Sequence, residues 1–301
     1  MASVFLLGNQ TTRAGRARLA DVRAAFARRN VEATILEAAS PASARLAARR
    51  AVEDGATLLV AIGGDGVVHL AVNAVAGTDT VLGVVPFGTG NDFARALGLL
   101  DGDVDQQVER ALAPPVAVDA LRTDHGWVAT VATVGFSGDV TARANDLTWP
   151  RGQLRYTVAT LLQLPRLRTL PVTVDVDGRR ASTATTLLAV GNTAFFGGGM
   201  RICPSARPVD GRLQLVSIGD VSRRTFLRVF PTVFSGRHIR RPEVMVDAGT
   251  VVTITADDTG DGGGIDVWAD GELLGSLPMR LEVVPKALHV AGVRQDGLDD
   301  A

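Results

Sequence analysis

Residues 57–76 read TLLVAIGGDGVVHLAVNAVA, and this stretch decides the fold. The run from Leu58 to Ile62 is apolar throughout, as in a strand covered by helices on both faces. Gly63-Gly64-Asp65-Gly66 then turns the chain, and the nearly all-apolar residues 67–76 predict a buried helix. Glycines let such a turn bend sharply and approach a ligand closely. The free N–H groups at the helix start suit a phosphate. Asp65 is out of place beside phosphate unless a magnesium ion or its water shell lies between them. The plain alternative is a tight turn with Asp65 as its cap.

Outward from this unit the pattern repeats. Residues 3–7, 31–36 and 81–85 read as further strands. Leu19, Val22 and Phe26 mark one face of a helix whose other faces carry arginines, and Pro41 suits the first turn of another. Strand–helix alternation predicts a parallel α/β sheet, Rossmann-like in kind, over residues 1–113. Pro114-Pro115 breaks the pattern. Beyond it the segments 117–121, 127–134, 172–176, 185–190, 213–218, 251–255, 265–268 and 279–284 read as strands. Asp177-Gly178, Asp210-Gly211 and Asp270-Gly271 supply turns between them. An antiparallel β-sandwich over residues 114–285 is the expectation, interrupted by helices near 151–164 and 222–234.

Composition narrows the function. The chain has 301 residues, 46% hydrophobic and 21% charged, as in ordinary globular proteins. With 31 basic and 32 acidic side chains, no broad nucleic-acid surface is indicated. Cys203 is the only cysteine, so neither an intrachain disulfide nor a thiolate metal site is expected. No uncharged apolar run reaches the roughly 20 residues a bilayer span needs, and the N-terminus reads as a strand rather than a signal peptide. Cytoplasmic residence follows as an expectation. His69, His125, His238 and His289 show no ligand spacing.

A second glycine loop, Pro86-Phe87-Gly88-Thr89-Gly90-Asn91-Asp92-Phe93-Ala94-Arg95, follows the next strand at the same sheet end, where open α/β sheets bind ligands. Thr89 offers a hydroxyl, Gly88 and Gly90 allow close approach, and Asn91 or Asp92 can cap a helix. Two such loops on consecutive strands point to nucleotide binding.

Residues 63–99, GGDGVVHLAVNAVAGTDTVLGVVPFGTGNDFARALGL, resemble the catalytic domain of the bacterial diacylglycerol kinase family, which also holds sphingosine and ceramide kinases. The GGDG loop is more distantly similar to NAD kinases and phosphofructokinases. The resemblance implies a nucleotide domain, a β-sandwich domain and an active site between them, with residues 286–301 returning to the first domain. It implies Mg²⁺ and ATP held by Asn9, Thr11, Thr12, Gly63, Gly64, Asp65, Gly66, Val67, Gly88, Thr89, Asn91 and Asp92. Asp65 would organise the catalytic magnesium. Asp270-Gly271-Glu272 resembles a DGE motif whose glutamate, here Glu272, is the catalytic base. Residues 204–213 resemble a metal-binding turn in which Asp210 gives its carboxylate and Arg207 and Arg212 their carbonyls; read without the resemblance, Asp210-Gly211 is a hairpin turn.

The chain departs from the family pattern at Val67, where threonine is usual, at Asn9-Gln10-Thr11-Thr12-Arg13, which lacks the usual proline and glycine, and at Glu37, near a usual threonine. Nucleotide preference stays open. The acceptor implied is a lipid hydroxyl, with diacylglycerol first and phosphatidylglycerol, a sphingoid base or NAD as alternatives. A non-catalytic nucleotide or lipid sensor is the reading of another class. Residues 149–170 carry Trp149, Leu154, Val158, Leu161 and Leu162 among Arg151, Arg155, Arg166 and Arg168. That pattern fits a peripheral helix at the inner membrane face or a helix packed on the sandwich with a solvated basic edge. An exposed strand edge could pair two copies into a homodimer.

Overall fold

The structure is a computed structural model that describes residues 3–147, 149, 153–257 and 264–294. The first half alternates β1 (Val4–Gly8), α1 (Arg13–Arg28), β2 (Ala33–Ile35), α2 (Pro41–Glu53), β3 (Leu58–Gly63), α3 (Asp65–Val75), β4 (Val81–Pro86), α4 (Asp92–Ala96) and α5 (Val104–Ala111). Strands β2, β1, β3 and β4 lie side by side and parallel. Every residue of β3 is buried, because α2 and α3 cover one face and α1 and α5 the other. Ser40 caps α2 ahead of Pro41 and Thr12 caps α1, so side-chain oxygens satisfy N–H groups that the helices cannot.

The second half runs β5 (Pro115–Thr123), β6 (Gly126–Val128), β7 (Val131–Gly135), α6 (Phe136–Asp146), α7 (Gln153–Gln163), β8 (Leu170–Val176), β9 (Arg179–Thr185), β10 (Leu187–Gly191) and β11 (Leu213–Ile218). It continues with α8 (Arg223–Val233), β12 (Val244–Gly249), β13 (Val251–Ala256), β14 (Asp266–Ala269), β15 (Glu272–Ser276) and β16 (Met279–Ala291). An antiparallel sheet β12-β11-β10-β7-β14-β15 packs on β5, β8, β13 and the first half of β16 across an apolar core holding Val172, Leu188, Leu215 and Leu281. Helices α6, α7 and α8 cover its outer face through Phe136, Val140, Val216 and Phe226.

The strand expected over residues 127–134 is two, β6 and β7. The break falls at Ala129 and Thr130, whose N–H groups leave the ladder for the Asp270 carboxylate. The helix expected over 151–164 is described from Gln153; Arg151 lies outside the described residues, as do 258–263 of the acidic loop and 295–301 of the returning C-terminus.

Strand β16 joins the two halves. Its residues 279–282 pair with β13, while His289 and Val290 pair in parallel with β4. β5 follows it along both parts, with a shift in register between Val284 and Leu288. At that bulge Lys286 has φ 55°, and its N–H donates to Asp119 Oδ1 at 2.9 Å. Asp119, 2% exposed, accepts Gly211 N–H on its other oxygen at 2.8 Å. A carboxylate buried this deeply persists because both oxygens meet main-chain donors. Asp119→Ala strands two N–H groups and should lower the unfolding free energy by about 2–4 kcal/mol. Urea melts check this, and an unchanged midpoint would remove Asp119 from the joint.

Candidate active site

The two glycine loops touch. A Cβ at Gly88 would overlap the Gly64 backbone, so the close packing of β3 and β4 ends requires glycine there. Asn91 closes the second loop: Gly88 N–H donates to its Oδ1 at 3.0 Å, and its Nδ2 donates to Gly88 O at 2.9 Å. Asn91 stands at φ 53° and gives α4 no side-chain cap. Asp92 does not cap α4 either, so the capping role expected of these two passes to Asp65. Asp65 Oδ2 accepts Asn91 N–H at 2.9 Å, and Oδ1 accepts Asp92 N–H at 2.7 Å. The aspartate of the first loop thus caps the helix of the second from across the gap.

Asp92, 5% exposed, reaches the second domain. It accepts Gly198 N–H at 2.9 Å and Gly199 N–H at 2.7 Å. Burial, then the charge of Asp65, pushes its pKa up to about 7, against the pull of the two glycine N–H groups and Arg95. Asp65 is also raised, chiefly by burial, although the Asp92 and Asn91 N–H groups oppose it.

The Asp270-Gly271 turn between β14 and β15 has both residues at positive φ, 51° and 88°, the backbone of a two-residue hairpin. Asp270 points inward. It accepts Ala129 N–H at 3.0 Å, Thr130 N–H at 2.9 Å, the Thr130 hydroxyl at 2.6 Å and His69 Nδ1 at 3.0 Å. Burial pushes its pKa up, but the His69 ring and then the Thr130 and Ala129 donors outweigh this and hold the carboxyl below its usual range. Burial lowers the pKa of His69, and the Asp270 carboxylate more than restores it, leaving the ring above its ordinary value. His69 belongs to α3, so this pair ties the hairpin to the helix behind the first loop. Asn73, one turn further on α3, accepts Trp127 N–H at 2.8 Å and donates to Trp127 O at 3.0 Å. Glu272, next to the turn, is exposed and lies over α3, with Oε1 3.1 Å from where a Cβ on Gly66 would stand.

These tethers bring Asn9, Thr11, Gly64, Asp65, Gly66, Val67 and Glu272 around one cleft of 430 Å³, which Arg45 and His69 also line. Gly63, Gly88, Asn91 and Asp92 are not on the wall of this cleft; they build the loops that carry it. Thr89 is exposed beyond it. Thr12 caps α1, its hydroxyl accepting Gly15 N–H at 3.0 Å, which leaves its O–H free to donate. Asn9 Oδ1 takes the Thr11 N–H and hydroxyl at 2.8 and 2.7 Å, folding the first loop without the usual proline. The sequence reading missed Arg45, His69, Asp92's reach and Asp270. An aspartate beside glycine reads as a turn former, and a lone histidine on an apolar helix reads as core.

The Asp210 turn lies away from the cleft. Asp210 Oδ1 accepts Arg212 N–H at 2.9 Å. Burial, and then the charge of Asp119 as the other raising influence, lifts its pKa, while Arg212 and Arg207 pull it down. Among the described residues no three His, Cys, Asp or Glu side chains cluster to hold a metal. A hard cation here would rely on one carboxylate and main-chain carbonyls, a donor set that fits magnesium or calcium, and it would relieve the repulsion between Asp210 and Asp119.

Two further cavities extend from Asp65. One of 30 Å³ is lined by Asp65, Asp92, Thr130, Tyr156, Gly197 and Asp270. The next, also 30 Å³, shares Tyr156, Thr141 and Phe196 with it and is otherwise lined by apolar groups such as Val140, Phe226 and Phe230. Ser137, 3% exposed, lines this apolar cavity with a hydroxyl that has no partner among the described residues. Burial, then the Asp65 and Asp92 charges, pushes the Tyr156 pKa up to about 12.

Known proteins share this layout. The diacylglycerol kinase catalytic domain family matches residues 3–122, and the YegS C-terminal NAD kinase beta sandwich-like domain family matches residues 130–292. A diacylglycerol kinase of Mycobacterium tuberculosis is 38% identical over 247 residues, 80% of this chain and 78% of that protein. One of Bacillus subtilis is 27% identical over 290 residues, 94% of this chain and 93% of that protein. A crystal structure of a diacylglycerol kinase from Bacillus anthracis superposes with a TM-score of 0.70 at 17% identity, over 96% of each chain, a likeness of fold alone.

Asp92 has a pH signature. A carboxyl whose folded pKa exceeds its unfolded one keeps its proton in the fold after the unfolded chain has lost it. Its favourable contribution is full below the ordinary value of 3.8 and is lost as pH rises to about 7. Without nucleotide or divalent cation, the native melting temperature should therefore fall relative to that of Asp92→Asn as pH rises through this window. Parallel curves would remove the titration from Asp92.

Proposed function

Because the chain belongs to the diacylglycerol kinase family, whose catalytic and YegS-type C-terminal domains together span most of its length, we propose that it transfers the γ-phosphate of ATP to a lipid hydroxyl, with diacylglycerol as acceptor and phosphatidic acid as product. The observation that carries this reading is the placement of Glu272 beside Gly66, at the wall where the first turn of α3 meets the cleft.

The α3 terminus favours the anionic end of a nucleotide. Arg45 adds a cation on the same wall. Magnesium, when bound, neutralises phosphate charge; Asp65 is the carboxylate on that wall able to face it, each oxygen keeping a lone pair beyond its main-chain bond. Glu272 accepts the proton of the lipid hydroxyl as that oxygen attacks the γ-phosphorus and the bond to the β–γ bridging oxygen breaks, releasing ADP. The His69–Asp270 pair fixes the hairpin that carries Glu272, so positioning supplies much of the rate. The walls past Tyr156 are apolar, and the buried Ser137 hydroxyl there has no partner among the described residues. Both features support a lipid over a soluble acceptor.

The test follows labelled γ-phosphate from Mg-ATP into mixed micelles of diacylglycerol, phosphatidylglycerol, sphingosine or ceramide, with NAD alongside. Label should enter diacylglycerol. Label in NADP alone would overturn the lipid reading. Glu272→Gln should lower turnover about 10²–10⁴-fold with ATP binding retained; full turnover would remove Glu272 as the base.

A further inference from the structure

Residues 221–242, VSRRTFLRVFPTVFSGRHIRRP, carry six arginines and no acidic residue in a chain of formal net charge −1. They form α8 and a 3₁₀ turn, Arg237–Arg240. Phe226, Val229 and Val233 face the sheet and are buried, while Arg223, Arg224, Arg228, Arg237, Arg240 and Arg241 are exposed. Some exposed arginines elsewhere meet carboxylates, Arg28 with Asp105, Arg122 and Arg280 with Glu282, Arg179 with Asp247, while others, such as Arg49 and Arg50 on α2, meet none among the described residues. Among the described residues none of the six has such a partner. Their positive charge is left for something outside the chain.

Apolar groups stand among them. Leu227 is 42% exposed on α8. Beside it, Arg223 donates to Pro165 O, next to α7, and α7 exposes Leu154, Leu161 and Leu162 by 64, 52 and 51%. Helices α7 and α8 cover the same face of the second sheet, so their exposed sides form one outer layer, and both line the apolar cavity beneath it. A nucleic acid would use the arginines but gain nothing from the leucines. A bilayer uses both, through acidic headgroups and the acyl boundary.

We infer that the exposed face shared by α7 and α8, through the arginines of residues 223–241, docks on an anionic lipid bilayer. Docked in this way, the chain sets the apolar cavity against the membrane that holds its acceptor. The inference goes beyond the phosphotransfer reading, and binding alone tests it, so either can fail without the other.

Sedimentation of the full chain with phosphatidylcholine vesicles, with and without phosphatidylglycerol, decides it. Binding should require phosphatidylglycerol and weaken with salt. At about 1 kcal/mol per arginine, the triple variant Arg224→Glu, Arg228→Glu, Arg237→Glu should bind at least about 100-fold less, whereas Arg49→Glu with Arg50→Glu on α2 should bind as the native chain does. Cys203 is buried, so a polarity-sensitive dye on Leu227→Cys reports this face in a chain with native arginines, and its emission should shift to the blue on phosphatidylglycerol vesicles. Equal binding to both vesicle types, an unaffected triple variant, an unmoved dye, or tighter binding to duplex DNA would each overturn the assignment.

Discussion

Buried carboxylates that must find main-chain donors hold this protein together. An ionised carboxyl removed from water is costly unless hydrogen bonds replace its hydration. Asp65, Asp92 and Asp270 each meet that requirement with N–H groups from a distant segment: Asp65 from the second loop, Asp92 from residues 198 and 199, Asp270 from residues 129 and 130. Asp119 does the same at the bulge of β16. Together they fasten loop to loop and domain to domain where no regular ladder runs.

The candidate site inherits its geometry from these fastenings. Glu272 is an exposed side chain at the start of an edge strand, the kind of position that usually wanders. Here the residue two before it is buried and tied to β7 and α3, so the hairpin cannot move without breaking those bonds. The cost is electrostatic. Asp65 and Asp92 both face upward pressure on their pKa values from burial, and Asp65 adds its charge to the pressure on Asp92. A site that accumulates buried negative charge beside a helix start is prepared for a cation accompanying a polyanion.

The second domain pairs an apolar interior with an asymmetric exterior. Balanced charge over the whole chain conceals residues 221–242, α8 and the turn after it, which carry six arginines and no acidic residue. Below that layer, the cavities run from Phe226 and Phe230 through Tyr156 to Asp65. Among the described residues no helix is long and apolar enough to cross a membrane.

The local grammar of the sequence was enough for the parallel sheet, the antiparallel second domain and both glycine loops. Strand periodicity, glycine turns and proline breaks are short-range constraints that act within a few residues. It also marked Asp65 as out of place beside a phosphate, whereas Asn91 and Asp92 read as helix caps and Glu272 stood out only through the family resemblance. It could not say which donor each carboxylate meets, because partners such as Asp92 and Gly198, or His69 and Asp270, are 106 and 201 residues apart. Thr12 gave no sign of its role as a helix cap, and Asp270 looked like a solvent turn and is a buried anchor. Sequence by itself determined which segments form strands and helices, since hydrophobic burial and backbone sterics act locally. Only the tertiary structure decided which polar group satisfies which, since a buried charge takes whatever donor the packed chain delivers.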